Sequence, residues 1–384
     1  MKIVFLSNIF CHLQKPLSDK LFELTGGNYW FIETEKMPEE RSTLGYKSSE
    51  EPYKVVCTEQ NKQDIIQLVN DADVVLHGSA PYELVQERIS KGKLSFYYSE
   101  RKFKKKISFR LFLSNFKRFY FQWGRYKNAY LLAASAYAAS DFRKMFCFKD
   151  KVYRWGYFSE VKHYDALDKF YQNKCSIVNK RISIVWVARL IPLKHPEFAI
   201  AIAEKLKQSG YQFDLNMIGN GVMESELREY VEHNNLNDYV HVMGSMSPEQ
   251  VRSYMEAADI YLFTSDRNEG WGAVLNESMN SCCSVVASHA PGSVPFLLED
   301  GKNGLIYHDG NLDEAFEKVA RLMDNPDERK RLGFSAYNTM TMVWSPEIAA
   351  ERLYALSQSL MEGGQSSFED GPCSKASIID DNWF

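Results

Sequence analysis

NEGWGAVLNE, residues Asn268–Glu277, sets the architecture expected of this chain. Ahead of it runs DIYLFTS (Asp259–Ser265), short and apolar, and behind it AVLNESMNSC carries helical spacing. The segment therefore reads strand, glycine-containing turn, helix. A helix starting near Gly272 points its free N–H groups and the positive end of its dipole past the C-terminal edge of the strand, a place for phosphate. Glu277 then lies one to two turns into the helix, while Glu269, eight positions earlier, stays on the loop. In that arrangement one carboxylate can reach a sugar and the other a ribose, with a diphosphate between them. A loop acid and a solvated helix acid is the other reading of the same spacing.

On both sides of this segment the chain alternates short apolar runs with helical patterns, which predicts parallel sheets covered by helices. In the first half the strands are expected at 2–7, 28–34, 53–58, 72–78, 93–99, 129–135 and 151–158. Asn8–Leu24 should lead from the first strand into a helix capped near Ser18 or Asp19. The polar, mixed-charge stretch from Ser159 to Lys180 reads as a linker into a new strand, RISIVWVA (181–188). Gly219 and Gly221 follow DLNMI and allow a tight turn where backbone can approach a ligand. Arg189 and Lys194 sit on the loop past the 181–188 strand, where spacing alone would leave them solvated.

Taken together, these blocks resemble the retaining, nucleotide-sugar-dependent glycosyltransferases of family 4. SIVWVARLIPLKHPEFAI is similar to that family's strand–Arg–Lys segment, LNMIGNGVMESELRE to its Gly-x-Gly loop, and the Asn268–Glu277 stretch to its Glu-x7-Glu motif. The blocks VHVMGSMSPEQVRSYMEAADIYLFTS and PGSVPFLLEDGKNGLIY flank the motif in the family's order. The resemblance covers the second half of the chain. It implies the GT-B fold, two Rossmann-like domains facing across a cleft. The expected domains are 1–175 on the acceptor side and 176–345 on the nucleotide-sugar side, with a helix at 346–361 crossing back and a mobile tail at 362–384. By the same resemblance, Glu269 orients the sugar, Arg189 and Lys194 neutralise the leaving diphosphate, and Glu277 accepts from the ribose. The other expected donor contacts are Gly219, Gly221, Gly244 and Gly270–Ala273, including Trp271 and Gly272. The implied reaction is retaining transfer from a nucleoside diphosphate sugar to an acceptor hydroxyl, with no cofactor and no essential metal. A catalytically silent sugar-nucleotide-binding subunit and a nucleotide-sugar epimerase are the alternatives.

The first half departs from that family. Its Gly-rich first loop is absent, and Ser99, Glu100 and Arg101 stand where many members carry a donor-contacting histidine. Family members often have Glu where Phe296 stands. His12 and His77, both at predicted strand ends, are candidates for the acceptor or sugar side along with Glu100. A surface role for His12 and a structural one for His77 stay open.

From Arg101 through Ser140 there is no Asp or Glu, while ten Lys or Arg fall between Arg101 and Lys127 among Phe, Leu, Ile, Tyr and Trp. A basic amphipathic helix on an anionic membrane surface fits this. So does a packed helix with a solvated basic face. Nucleic-acid binding is disfavoured, because no nucleic-acid fold accompanies the charge. A membrane contact would suit a glycan or lipid-linked acceptor in surface-polysaccharide assembly. Seven scattered cysteines without Cys-x-x-Cys, and an N-terminus that reads as a strand, lead us to expect a cytoplasmic protein, peripheral on the inner face of the membrane if the basic stretch engages lipid.

Overall fold

The computed structural model describes residues 1–38, 49–104, 108–175 and 181–384. The chain forms two compact units, Met1–Glu160 with Val343–Trp383, and Val161–Met342 with Phe384. Each unit holds one parallel sheet flanked by helices.

In the first unit the strands are β1 (Ile3–Ser7), β2 (Tyr29–Glu33), β3 (Lys54–Val56), β4 (Val74–His77), β5 (Ser95–Ser99), β6 (Ala129–Ala133) and β7 (Val152–Arg154), ordered 3-2-1-4-5-6-7. In the second they are β8 (Ile182–Val187), β9 (Phe213–Ile218), β10 (Val240–Gly244), β11 (Ile260–Phe263), β12 (Ser284–Ser288) and β13 (Leu305–Tyr307), ordered 10-9-8-11-12-13. Both are doubly wound orders, so the GT-B fold class expected from the sequence holds as two Rossmann-like units. The central strands β1, β4, β11 and β12 are buried along their whole length, because helices cover both faces. The order reverses between β1 and β4 in one sheet and between β8 and β11 in the other. Loops leaving the C-terminal ends of those strands diverge and leave a crevice for ligands.

Several expectations are corrected. The first helix runs Lys15–Leu24, so Ser18 lies inside it rather than at its cap. The Cys11 carbonyl accepts from the Gln14 and Lys15 amides and Pro16 sets the first turn, while the buried Ser18 hydroxyl bonds the Tyr29 hydroxyl at 2.8 Å. The chain divides at Glu160, not at 175/176, because much of the supposed linker is a structural part of the second unit. Tyr164, Leu167 and Phe170 cluster with Tyr171, Cys282 and Tyr337, and the buried Lys174 ammonium donates to the Ser281 and Cys282 carbonyls. Residues 176–180 of that stretch lie outside the described residues. The 346–361 helix needs no correction: Pro346–Met361 packs within the first unit against Lys15–Leu24. The tail expected to be mobile runs antiparallel to β7, with Cys373 fully buried. Among the described residues no helix is long and apolar enough to cross a membrane.

Candidate functional site

Lys194 and Glu269 come from the loops after β8 and β11, the two strands that flank the reversal of the second sheet. Their side chains form an ion pair, Nζ to Oε2, and are only 12% and 13% exposed. The Ser265 hydroxyl donates to the same Glu269 oxygen at 3.3 Å. A shielded pair of this kind sits in a lower dielectric than a surface pair, so each charge is strongly felt by whatever approaches it.

The two loops are tied together by residues that the sequence did not single out. Trp186 Nε1 donates to the Thr264 hydroxyl (2.8 Å), which donates to the Lys194 carbonyl (2.7 Å), and the Asp266 amide donates to the Leu193 carbonyl (3.0 Å). Asp266 also accepts from the Asn268 amide and side chain, and its carbonyl accepts from the Glu269 amide. His195 stands beside Lys194 with a left-handed backbone, φ 50°. Its ring nitrogens face Glu197 at 2.7 Å and Asp266 at 3.4 Å, and these partners, Glu197 first, raise its pKa above the usual imidazole value. The signal that could have found Asp266 and His195 was their sequence adjacency to Glu269 and Lys194.

The glycines build the rim. Gly219 and Gly221 have φ of 145° and 158°, and a Cβ on either would overlap the carbonyl oxygen of Ala188 or Leu190. Close approach is what they permit: Leu190 N donates to Asn220 O at 2.7 Å, and Gly219 N donates to Gly244 O at 2.9 Å. The loops after β8, β9 and β10 are thereby fused. Gly272, at φ 83°, lets the chain turn under Phe263, where a Cβ would strike the ring and lie 3.4 Å from Glu269 Cγ. Gly270 is buried, and Ala273 is the residue before the Val274–Asn280 helix. That helix has only seven residues, so its dipole is small and the cationic character of the site rests on Lys194 and the exposed Arg189.

Trp271, expected among the donor contacts, turns its indole inward. It is 1% exposed, donates from Nε1 to Asn276 Oδ1 at 2.9 Å, and accepts at its carbonyl from the Ser293 hydroxyl. Phe296 lies against the same indole, 6.3 Å between rings. Glu277, part-buried in the first turn of the helix, has its carboxyl pushed up to about 7 by desolvation, with Arg252 opposing the shift. Both Glu269 and Glu277 add to the desolvation that raises the pKa of the buried Tyr261 phenol.

In the first unit, His12 is half-buried on the loop after β1, and Glu100 follows β5, accepting from Tyr157 at 3.0 Å and Lys104 at 2.7 Å. His77 ends β4 but is 3% exposed, ringed by Tyr97 and Trp123, and desolvation lowers its pKa to about 4. It is a neutral core imidazole, the structural one of its two readings.

Residues 168–339 match the family model described as glycosyl transferases group 1. That span carries the ion pair, the glycine rim and both glutamates. Among curated relatives, the chain is 30% identical over 160 residues to the amylovoran biosynthesis glycosyltransferase AmsK of Erwinia amylovora, covering 40% of this chain and 39% of the relative. It is 27% identical over 176 residues to the alpha-D-kanosaminyltransferase of Streptomyces kanamyceticus, covering 46% and 45%. The chain thus spans less than half the length of these relatives. Among solved structures, HepE of Anabaena in complex with UDP superposes with a TM-score of 0.70 at 14% identity, over 94% of this chain and 100% of that one. A glycosyltransferase from Rickettsia africae gives 0.67 at 13%, over 94% and 99%. At these identities the likeness concerns the fold.

Proposed function

We propose that this protein is a retaining glycosyltransferase that moves a sugar from a nucleoside diphosphate sugar to an acceptor hydroxyl. The observation that carries the reading is the Lys194–Glu269 pair at the reversal of the second sheet. A donor satisfies both partners at once: its diphosphate takes the ammonium, and its sugar hydroxyls take the carboxylate. Arg189 adds a second cation on the same loop, and together they stabilise the negative charge that grows on the leaving diphosphate. Glu269 holds the sugar as it acquires oxocarbenium character, and Glu277 accepts from the ribose. The leaving phosphate takes the acceptor proton on the same face, which gives retention. Two cations on one loop supply the charge that a divalent ion supplies elsewhere, so activity should survive EDTA.

The UDP complexes of HepE make uridine the first base to try. The acceptor we propose is a lipid-linked glycan in surface-polysaccharide assembly, supported by the amylovoran relative and by the basic stretch 101–127. Calorimetric titration with UDP, GDP and ADP tests the donor half. One diphosphate should bind, and Lys194→Ala should weaken it. With an identified acceptor, Lys194→Ala should lower kcat about 10²–10³-fold, the usual cost of losing one transition-state charge contact. NMR of the product's anomeric centre should show the donor's configuration kept. Binding that survives with no transfer to any acceptor would favour the silent subunit instead.

A further inference from the structure

The helix Phe109–Phe119 begins at a Ser108 cap and continues into a π turn, Tyr120–Gly124. Phe112, Phe116 and Phe119 pack on the core of the first unit. The apolar stripe does not stop at that contact. At 100° per residue, Phe109 and Leu113 lie next to Phe112 and Phe116 on the solvent side, and Lys117 and Arg110 follow them. Phe109 is 75% exposed.

A second element adds to this surface. Phe146, just past the Ala138–Lys144 helix, is also 75% exposed and holds a left-handed backbone at φ 54°. An aromatic residue is a costly choice for that conformation, which glycine or asparagine adopts with less strain. Its neighbours Cys147 and Phe148 are buried, so the turn could have been capped without presenting a ring to water. A continuous run of rings joins it to the helix: Phe146 meets Phe116 at 6.0 Å, Phe116 meets Tyr120 at 5.6 Å, and Tyr120 meets Phe121 at 5.6 Å. Phe121 is 55% exposed.

The exposed charges on the Phe109–Phe119 and Ala138–Lys144 helices are basic, and Asp150, four residues past Phe146, is the next exposed acid along that loop. Lys117, Arg143 and Lys144 are exposed. Asp141, the first acid after Glu100, is buried and accepts from the amides of Lys102 and Phe103. Exposed aromatic rings on elements that also carry exposed bases match the layered chemistry of an anionic bilayer surface, apolar at acyl depth and negative at the headgroups.

We propose that Phe109, Phe121 and Phe146, with Lys117, Arg143 and Lys144, form a docking surface for an anionic lipid bilayer. Lys105, Lys106 and Ile107, within the basic stretch, lie outside the described residues. The inference deepens the transferase reading, from which it takes its lipid-linked acceptor. Vesicle binding and UDP binding are measured separately, so either can fail without the other.

Flotation of the full chain with phosphatidylglycerol and phosphatidylcholine vesicles tests it. Binding to phosphatidylglycerol should be stronger by about tenfold or more and should fall with salt. Phe146→Gly should weaken vesicle binding severalfold while its melting temperature stays level or rises, because the backbone strain is relieved. Lys117→Glu with Lys144→Glu should remove the preference for anionic lipid, and UDP titration should be unchanged in every variant. Equal binding to both lipids, or full vesicle binding by Phe146→Gly, would overturn the proposal. A dimer that Phe146→Gly dissociates, without vesicle binding, would overturn it too and assign the surface to a second copy of the chain.

Discussion

With Glu277 as the proposed ribose acceptor, one carboxyl would tie pH to both stability and donor binding. In the folded chain it holds its proton up to about pH 7, whereas the ordinary value is 4.5. Between those values the folded state binds the extra proton, so the unliganded protein should lose stability as pH rises from 4.5 to 7. The loss is at most about 3 kcal/mol. Above about pH 7 the ionised carboxylate is the better acceptor for ribose hydroxyls, so donor affinity should rise across the same window. Thermal melts of Glu277→Gln between about pH 5 and 8 should lack the downward slope, and UDP titrations of that variant should lack the upward one. If parent and variant share both profiles, Glu277 has neither role. Glu269 and Lys194 were singled out only through the family resemblance of the blocks that hold them, since spacing alone would have left Lys194 on a solvated loop. Thr264 and Asp266 were not, since their bonds to the backbone of Lys194 and Leu193 cross about 70 residues and exist only once β8 and β11 pair. His77 misleads for a related reason: a strand end at the binding edge is open only if nothing covers it, and Trp123 from the π turn does.

At the level of elements, the loop after β9 is held in shape by what its glycines lack. Gly219→Ala puts a methyl group into the Ala188 carbonyl, which comes from the neighbouring loop, where the Ala188 amide is itself bonded to Ile218 at the end of β9. The expected cost is about 1–3 kcal/mol in urea unfolding, with weaker UDP binding because the Arg189 loop is pushed aside. Gly244 is the control. Its φ is 75° but a Cβ there meets nothing within 4 Å, so Gly244→Asn should cost little. Equal destabilisation by the two substitutions would mean that backbone strain, not loop fusion, governs this rim. Strands were the most legible elements because each is an apolar run bounded by turn residues. Helix starts were less so, since the first one is set by a backbone carbonyl, Cys11 O, and by Pro16, while Ser18 serves packing instead.

For the molecule as a whole, composition misleads about the last residues and the supposed linker in the same way. Polar, glycine-containing sequence suggests mobility, but a few apolar or backbone anchors decide the outcome. β7 is the edge strand of the first sheet, and an uncovered edge invites pairing with another chain. Residues 373–376 cover it: Cys373 N donates to Arg154 O at 2.8 Å, Arg154 N to Ser374 O at 2.8 Å, and Ala376 N to Val152 O at 3.0 Å. Arg101 and Asp381 pair at 3.0 Å, and Trp383 Nε1 donates to the Tyr137 hydroxyl at 2.9 Å, fastening the chain beyond that edge. Removing residues 365–384 should therefore cost the first unit about 3 kcal/mol from the three backbone bonds alone, at roughly 1 kcal/mol each. It should also expose β7. The truncated protein should melt earlier and form larger species with increasing concentration by light scattering, while UDP binding, proposed for the second unit, changes little. A truncated chain that melts with the parent and stays monodisperse would return these residues to the role that their composition suggested.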